Sequence, residues 1–321
     1  TTTPIFWSFL IRATTDHLVV VGSGYERTIQ AAIPAKVASE GEALIPAKRL
    51  MELVANIPGD NMLTIANSND KQVKVTGKQT RSLFQSSDPA DFPKMLNTRP
   101  DNFTEIPFGK LQAALKHTIS SASRDIHLAS PTAGILVKQS SDRLDFYSCD
   151  NFRASHVQVP ASSYGVQESV YIILPVKTAL AMIRFPFVDS DMARIGIAKD
   201  KFHLSLAREE SGSTSLAMQM LASTLAGPYP NIEGKFAEFP TESNGQVNLP
   251  EMKLAVNRVF ALASGMTNEI ALRFRGHILE MASRNEYGSA FASSNVETTQ
   301  DTPSIAITMS GVFLKEAIST I

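Results

Sequence analysis

Residues 136–154 of this chain read LVKQSSDRLDFYSCDNFRA, and residues 10–28 read LIRATTDHLVVVGSGYERT. Laid over one another, Asp16 falls on Asp142, Leu18 on Leu144, Val20 on Phe146 and Arg27 on Arg153. A fainter third copy, IALRFRGHILEMASRNEYG, occupies 270–288. Each copy is two alternating runs about a polar turn. Leu18, Val20 and Gly22 alternate in one, Leu144, Phe146 and Ser148 in the next. A period of two reads as strands, and two such runs joined by a turn read as a hairpin. A hairpin that recurs along a chain implies repeated structural units.

A second block follows each hairpin. Residues 44–57, LIPAKRLMELVANI, match 173–186, ILPVKTALAMIRFP. In both, a Pro stands where a helix begins, a first-turn position that Pro tolerates. Leu50, Leu53, Val54 and Ile57 then recur at helical spacing, as do Val176, Leu180 and Ile183. The first copy runs on through LTIANS, KQVKV and RSLFQSS to DPADFP, the second through RIGIAK, FHLSLA and SLAMQML to AGPYP. Another helix type occurs at 105–122 and at 248–264. Its stripes are Leu111, Leu115, Ile119 and Ala122, and Met252, Val256, Val259 and Ala263.

The unit is thus helix, hairpin, helix and three short strands. The fold class is α+β: three repeated domains at 1–100, 101–243 and 244–321, each with two helices packed on antiparallel sheets. The first lacks its opening helix, and the third stops inside its second helix, SGVFLKEAISTI. Missing strands leave open edges. The expectation is that both ends of a longer chain are absent, the alternatives being disorder or supply by another chain.

Composition narrows the function classes. The 321 residues suit two or three domains, and 43% hydrophobic with 19% charged is ordinary for a globular protein. A formal net charge of −1 means that any nucleic-acid footprint must be local. A single Cys excludes an internal disulfide framework and favours a reducing, cytoplasmic setting. No apolar run is long enough to span a membrane, and TTTPIFWSFLIRA lacks the marks of a signal peptide. The six histidines show no metal-ligand spacing, and no cofactor motif occurs; GSGYER at 22–27 has a glycine-rich look but sits in a hairpin turn.

The order of units, the PAKRLMELVANIP helix, the SSDPADFP segment and the CDNFRA hairpin together resemble the bacterial DNA polymerase III beta subunit, the sliding clamp family. The resemblance runs through essentially the whole chain. It implies three similar domains per chain and a head-to-tail homodimer ring around duplex DNA. It implies no active site, and partners that include the polymerase III catalytic subunit, the clamp loader and other proteins with a short clamp-binding motif. No membrane partner is expected.

The same resemblance assigns sites. A pocket for a partner peptide between domains 2 and 3 falls on Thr132, Cys149, Asp150, Asn151, Phe152, Arg153, Ala154 and Pro230. The peptide carries a Gln, aliphatics and a Leu-Phe-like end. Asn151-Phe152 replace the family's usual Gly-His or Gly-Tyr, and Ala154 its usual Leu. Arg153 can give a fork of donors to peptide carbonyls, with Phe152 and Pro230 as apolar wall. DNA-facing candidates are Lys48, Arg49, Lys110, His117, Lys177, Arg184, Lys253, Arg258 and Lys315, with Arg124 from its family position. Lys110 with His117, and Lys177 with Arg184, lie seven apart and so share a helix face. Such cations would hold phosphates without reading bases. Ring closure falls on the strand around Arg81 and Leu83, facing Phe260 and Leu262, with only Glu286 and Glu297 as acids between 283 and 297.

Two other readings stand beside this one. Cys149, with Asp150 beside it and His156 seven residues on, could be the nucleophile of a hydrolase, although that order fits no nucleophile motif and its register mate is Ser23. Alternatively the chain is a clamp-like scaffold that never encircles DNA.

Overall fold

The structure, a computed structural model, describes residues 4–59, 61–69, 71–93, 100–123, 130–198, 200–210, 213–238, 245–263, 268–298 and 304–320. The first repeat has hairpin strands β1 (Ser8–Thr14), β2 (His17–Ser23) and β3 (Arg27–Pro34), then β4 (Gly41–Pro46), helix α1 (Ala47–Ala55), and the run β5 (Thr64–Asn69), β6 (Gln72–Thr76) and β7 (Arg81–Gln85). The second begins with β8 (Phe103–Pro107) and α2 (Phe108–Ile119). It continues with β9 (Gly134–Gln139), β10 (Arg143–Cys149), β11 (Ala154–Pro160), β12 (Ser162–Tyr164), β13 (Val170–Pro175) and α3 (Val176–Ile183). Its run is β14 (Met192–Ala198), β15 (Lys201–Glu210) and β16 (Ser213–Ser223). After α4 (Ile232–Glu238) and β17 (Gln246–Val247) the third has α5 (Leu249–Phe260), β18 (Glu269–Arg275), β19 (Ile278–Asn285), β20 (Gly288–Glu297), β21 (Ile305–Ser310) and α6 (Gly311–Thr320).

The expected order of elements is present in each repeat. Three hydrophobic clusters form around Val73 and Val75, around Phe108, Phe146 and Phe202, and around Val256, Val259 and Ile270. Hairpin turns fix the repeat register: Thr14 pairs His17, Ser140 N–H donates to Arg143 O, and Arg275 pairs Ile278. Gly22, Ser148 and Ser283 are therefore equivalent, and so are Arg27, Arg153 and Gly288. The third copy is displaced by one residue from its apparent sequence overlay. Ser148 Oγ donates to Thr118 O at the end of α2, and Ser283 Oγ to Val259 O (2.6 Å) near the end of α5. Gly22 belongs to a groove of about 600 Å³, lined also by Phe9, Val20, Ile29, Ala31 and Ala47, on the face that α2 covers in the second repeat.

Three of the helices start at a proline. Pro46, Pro107 and Pro175 are the N-cap residues of α1, α2 and α3, with φ of −53°, −58° and −56°. Each helix follows its strand without a loop, and the pyrrolidine ring makes that corner stiff. The prolines thus stand one place earlier than the first-turn position expected. Asn248 instead caps α5 with its side chain, accepting from Glu251 N–H at 3.1 Å.

The α5 stripe is buried as expected, and so are Leu111, Leu115 and Ala122 of the α2 segment. Two other stripes turn out otherwise. Val54 of α1 is 46% exposed, and Leu180 of α3 is 40% exposed. In α3 the buried side is Thr178, Ala179 and Met182. The small Ala179 lets α3 lie close to α2, where Gln112 Nε2 donates to Ile183 O at 2.8 Å. Helix α4 was not expected; Ile232 buries itself in the sheet below and anchors it.

A strand pairing joins the first two repeats. Strand β16 of the second pairs antiparallel with β3 of the first, from Ala217↔Ala32 to Ala222↔Arg27. The result is a nine-stranded sheet in the order β12-β8-β14-β15-β16-β3-β2-β1-β4. The stripes make an opposed pair of expectations. Phe146→Ala, at a side chain 1% exposed, should cost about 3–5 kcal/mol in chemical denaturation. Leu180→Ala should stay within roughly 0.5–1 kcal/mol, because its side chain is half in solvent.

Candidate partner-binding and DNA-facing surfaces

The turn between β10 and β11 is built by Asp150. Its Oδ1 accepts from Phe152 N–H (2.8 Å) and Arg153 N–H (3.0 Å), and its N–H donates to Arg153 O (3.0 Å). The side chain mimics a backbone turn, which is what Asp does well. The turn lifts Phe152 to 80% exposure. Arg153 folds the other way. Its Nε donates to Asp150 Oδ2 at 3.0 Å, its Nη1 to Glu316 Oε2, and its guanidinium lies 4.4 Å from the Phe313 ring centroid. Glu316 and Phe313 belong to α6. The seam between domains 2 and 3 thus runs through the expected pocket, and α6 is a wall of it that sequence reasoning missed.

The hairpin end stands over an apolar cluster. Tyr147, Cys149 and Ile232 are buried together, with Leu136, Tyr229 and Phe236 packed on them. Tyr229 Oη donates to Gly134 O at 3.1 Å, and Pro230 beside it is exposed. Thr132 is half-buried, with its hydroxyl 2.9 Å from that of Ser130. Asn151 and Ala154 are exposed on either side of the turn. The structure therefore brings Cys149 to Ala154 onto one hairpin end, with Pro230 joined to it through Tyr229.

Cys149 does not have the setting of a nucleophile. Its side chain is buried, and burial raises the thiol pKa, the opposite of activation. His156 is engaged elsewhere: its Nε2 is 3.0 Å from Asp145 Oδ1, and its ring stacks on Tyr147 at 4.2 Å. Asp145 is 3% exposed and also accepts from Arg143 Nε at 3.0 Å. A carboxylate this buried needs such partners. Burial and Asp145 together push the Tyr147 hydroxyl up to about 12. Among the described residues no cluster of His, Cys, Asp and Glu could hold a metal ion, and no helix is long and apolar enough to cross a membrane.

The expected cations are mostly on open helix faces. Lys48, Arg49, Lys110, Lys177, Arg184, Arg258 and Lys315 are exposed, while His117 and Lys253 are half-buried. Arg49 also pairs with Glu52 (2.9 Å) on its own helix. Lys315 Nζ lies 4.9 Å from the Phe260 ring. His117 and Arg258 are in the last turns of α2 and α5, where positive charge meets the negative end of the helix dipole. Arg124 lies outside the described residues.

The ring-closure candidates divide. Arg81 and Leu83 are exposed on β7, an edge of the sheet β5-β6-β7. Leu262 is half-buried beside Gly288, where β20 starts. Phe260 instead packs on the third core and under Lys315.

Residues 1–96 match the family model described as DNA polymerase III beta subunit, N-terminal domain. The chain is 23% identical over 306 residues to the beta sliding clamp of Chlamydia muridarum, covering 94% of this chain and 79% of that protein. It is 26% identical over 166 residues to the beta sliding clamp of a Synechocystis species. That match spans half of this chain and 42% of the Synechocystis protein, less than half its length. Among solved structures, a Pseudomonas aeruginosa DnaN sliding clamp bound to griselimycin superposes with a TM-score of 0.84 at 18% identity. It covers 100% of this chain and 84% of that one, so the fold is the same.

The buried, protonated thiol leads to a direct expectation. Alkylation of Cys149 near pH 8 should be at least about tenfold slower in the native chain than in denaturant, because the thiolate is the reactive form. Native reaction as fast as the unfolded chain would restore the hydrolase reading.

Proposed function

We propose that the chain is a member of the DNA polymerase III beta subunit family and acts as a sliding clamp. In this reading it is a cytoplasmic processivity factor without an active site of its own. It encircles duplex DNA and tethers the replicative polymerase and other DNA enzymes.

The observation that carries the ring is the pairing of β16 with β3. The last strand of one domain's run pairs with the third hairpin strand of its neighbour. The repeat gives this joint two further halves. Strand β7 is the last strand of the first run and ends its sheet. Strand β20 is the third hairpin strand of the third domain, paired on one side by β19 and on the other only by the two residues of β17. An edge strand is a template for another strand. Joining β7 of one chain to β20 of a second copy repeats the internal joint and leads to a closed head-to-tail homodimer. Leu83, 53% exposed on β7, is the apolar side chain this joint would cover.

Sequence-independent attraction for the DNA backbone is supplied by Lys48, Arg49, Lys110, Lys177, Arg184 and Arg258. His117, Lys253 and Lys315 assist, as does Arg124. The hairpin end from Cys149 to Ala154, with Thr132 and Pro230, takes the short motif of the polymerase III catalytic subunit, the clamp loader and other partners. The apolar cluster beneath it and its few aimed polar groups suit a peptide anchor.

Leu83→Asp should convert the dimer to monomer in sedimentation velocity, since it places a charge in the buried joint; a dimer that persists removes β7 from the interface. Reversing both Lys177 and Arg184 to Glu should weaken DNA retention at low salt. The ratio to the unaltered chain should shrink as salt rises and the Debye length falls. Undiminished retention would take α3 off the DNA-facing side.

A further inference from the structure

We infer that the ring joint carries a cation–π contact between chains: the exposed ring of Tyr287 in one copy takes the guanidinium of Arg49 in the second. The partner of this hairpin end is a second copy of this chain. The inference rests on the ring reading above and adds the side-chain contact that makes the joint selective.

The repeats share one register. Pro46 pairs with Ser8, Pro175 with Gly134 and Ser310 with Glu269, and in each repeat a helix starts at the next residue. Arg49, Thr178 and Phe313 are therefore the third residues of α1, α3 and α6, and Glu52, Ala181 and Glu316 the sixth. At the hairpin ends Phe152 and Tyr287 hold one place, and Arg27, Arg153 and Gly288 the next.

At both seams within the chain, the hairpin end meets the start of the next domain's helix. The Arg153 guanidinium lies 4.4 Å from the Phe313 ring centroid and donates to Glu316, and the Phe152 ring is 6.1 Å from that of Phe313. On α3, Thr178 and Ala181 offer neither ring nor carboxylate, and there Arg27 Nη1 donates to the main-chain oxygen of Lys177 at 2.8 Å. Joining β7 to β20 in the manner of β16 and β3 brings the third hairpin end to the start of α1 in the second copy.

The chemistry at that joint is that of the second seam with ring and guanidinium exchanged. Helix α1 has Arg49 where α6 has Phe313, and Glu52 where α6 has Glu316. Arg49 Nη1 donates to Glu52 Oε2 at 2.9 Å, which uses an edge of the guanidinium and leaves its flat face for a ring. The hairpin brings Tyr287, 82% exposed, and next to it Gly288 in place of an arginine, so the hairpin residue in that register sets no like charge against Arg49. A Cβ at Gly288 would meet only Leu262 Cδ1, at 3.9 Å, so the described chain leaves room beside the ring. The turn is fixed as it is in the second domain: Asn285 Oδ1 accepts from Tyr287 N–H (2.8 Å) and Gly288 N–H (3.0 Å), as Asp150 Oδ1 does from Phe152 and Arg153. A ring on a fixed turn and a cation already held on its helix lose little freedom when they meet.

The test uses the whole chain without DNA, so any hold of Arg49 on phosphate does not enter. The dimer dissociation constant is measured by sedimentation over a dilution series. An exposed cation–π contact is worth a factor of about three, and the ring has two joints. Tyr287→Ala and Arg49→Ala should therefore each raise the constant about tenfold, and the double variant should be no weaker than either alone. Tyr287→Phe keeps the ring and should stay within about twofold of the native chain. Tyr287→Lys and Arg49→Glu should each weaken its own dimer, while an equimolar mixture of the two should form a heterodimer with one native joint and one joint between the new opposite charges. A native dimer that Tyr287→Ala leaves unchanged, or losses that multiply in the double alanine variant, would overturn the Tyr287–Arg49 contact and leave the β7–β20 joint standing. A native chain that stays monomeric at every concentration would overturn the ring reading and this inference with it.

Discussion

The β16–β3 ladder is the contact on which the remaining architecture depends. It joins two domains into one sheet, and Ile29 of β3 also packs against the second domain's core. Six residue pairs run from Ala217↔Ala32 to Ala222↔Arg27. Its side chains are mixed: Ala31 and Ala32 face Met218 and Ala217, Ile29 faces the buried Met220, and Gln30 donates to Gln219 Oε1 at 3.0 Å. Each net backbone hydrogen bond contributes about 1 kcal/mol, so a ladder of this length holds firmly. A joint made of backbone needs little sequence, which is why it can be reused between copies whose side chains differ.

The same economy explains how three divergent repeats keep one fold. What recurs is positional: a proline at the corner from strand to helix in the first two repeats, and in the last two a hydrophobic stripe on the first helix with a small residue where the hairpin meets it. Ser148 and Ser283 each give their hydroxyl to a main-chain oxygen near the helix end, and Gly22 holds the same place in the first domain. Tip residues are freer. Tyr25, Phe152 and Tyr287 all project from hairpin ends at 72%, 80% and 82% exposure, yet their neighbours differ at nearly every position. The surfaces that meet partners vary while the frame stays constant, as expected for function carried by sites placed on a fold.

Much of this was legible in the residues alone. Period-two runs and the repeat fixed strand order, and the α5 stripe was read correctly at Met252, Val256, Val259 and Ala263. Where the reading failed, tertiary contact decided. Leu180 looks like a core residue because it is apolar, but the short α3 turns Ala179 and Met182 inward to suit α2. Helix α4 is too short to carry a periodic pattern and exists because Ile232 finds the cluster of Tyr147 and Cys149. At the pocket, sequence supplied the hairpin residues through the family resemblance. It could not supply Phe313 or Glu316, because they lie more than 150 positions away and meet Arg153 only across the domain seam. Nor could it show that Asp145 and His156 face one another across neighbouring strands; the buried carboxylate is the physical sign, and burial is not visible in a string of letters.

The ring is the central claim, and topology tests it without reference to any one side chain. The full protein would be loaded by its clamp loader onto nicked circular DNA, washed at high salt, and the circle then cut. A closed ring is held by linkage and not by charge, so it should remain through the wash and leave once the DNA has an end. Loss during the salt wash, with no further effect of cutting, would mean ordinary electrostatic binding and would contradict ring closure through β7 and β20.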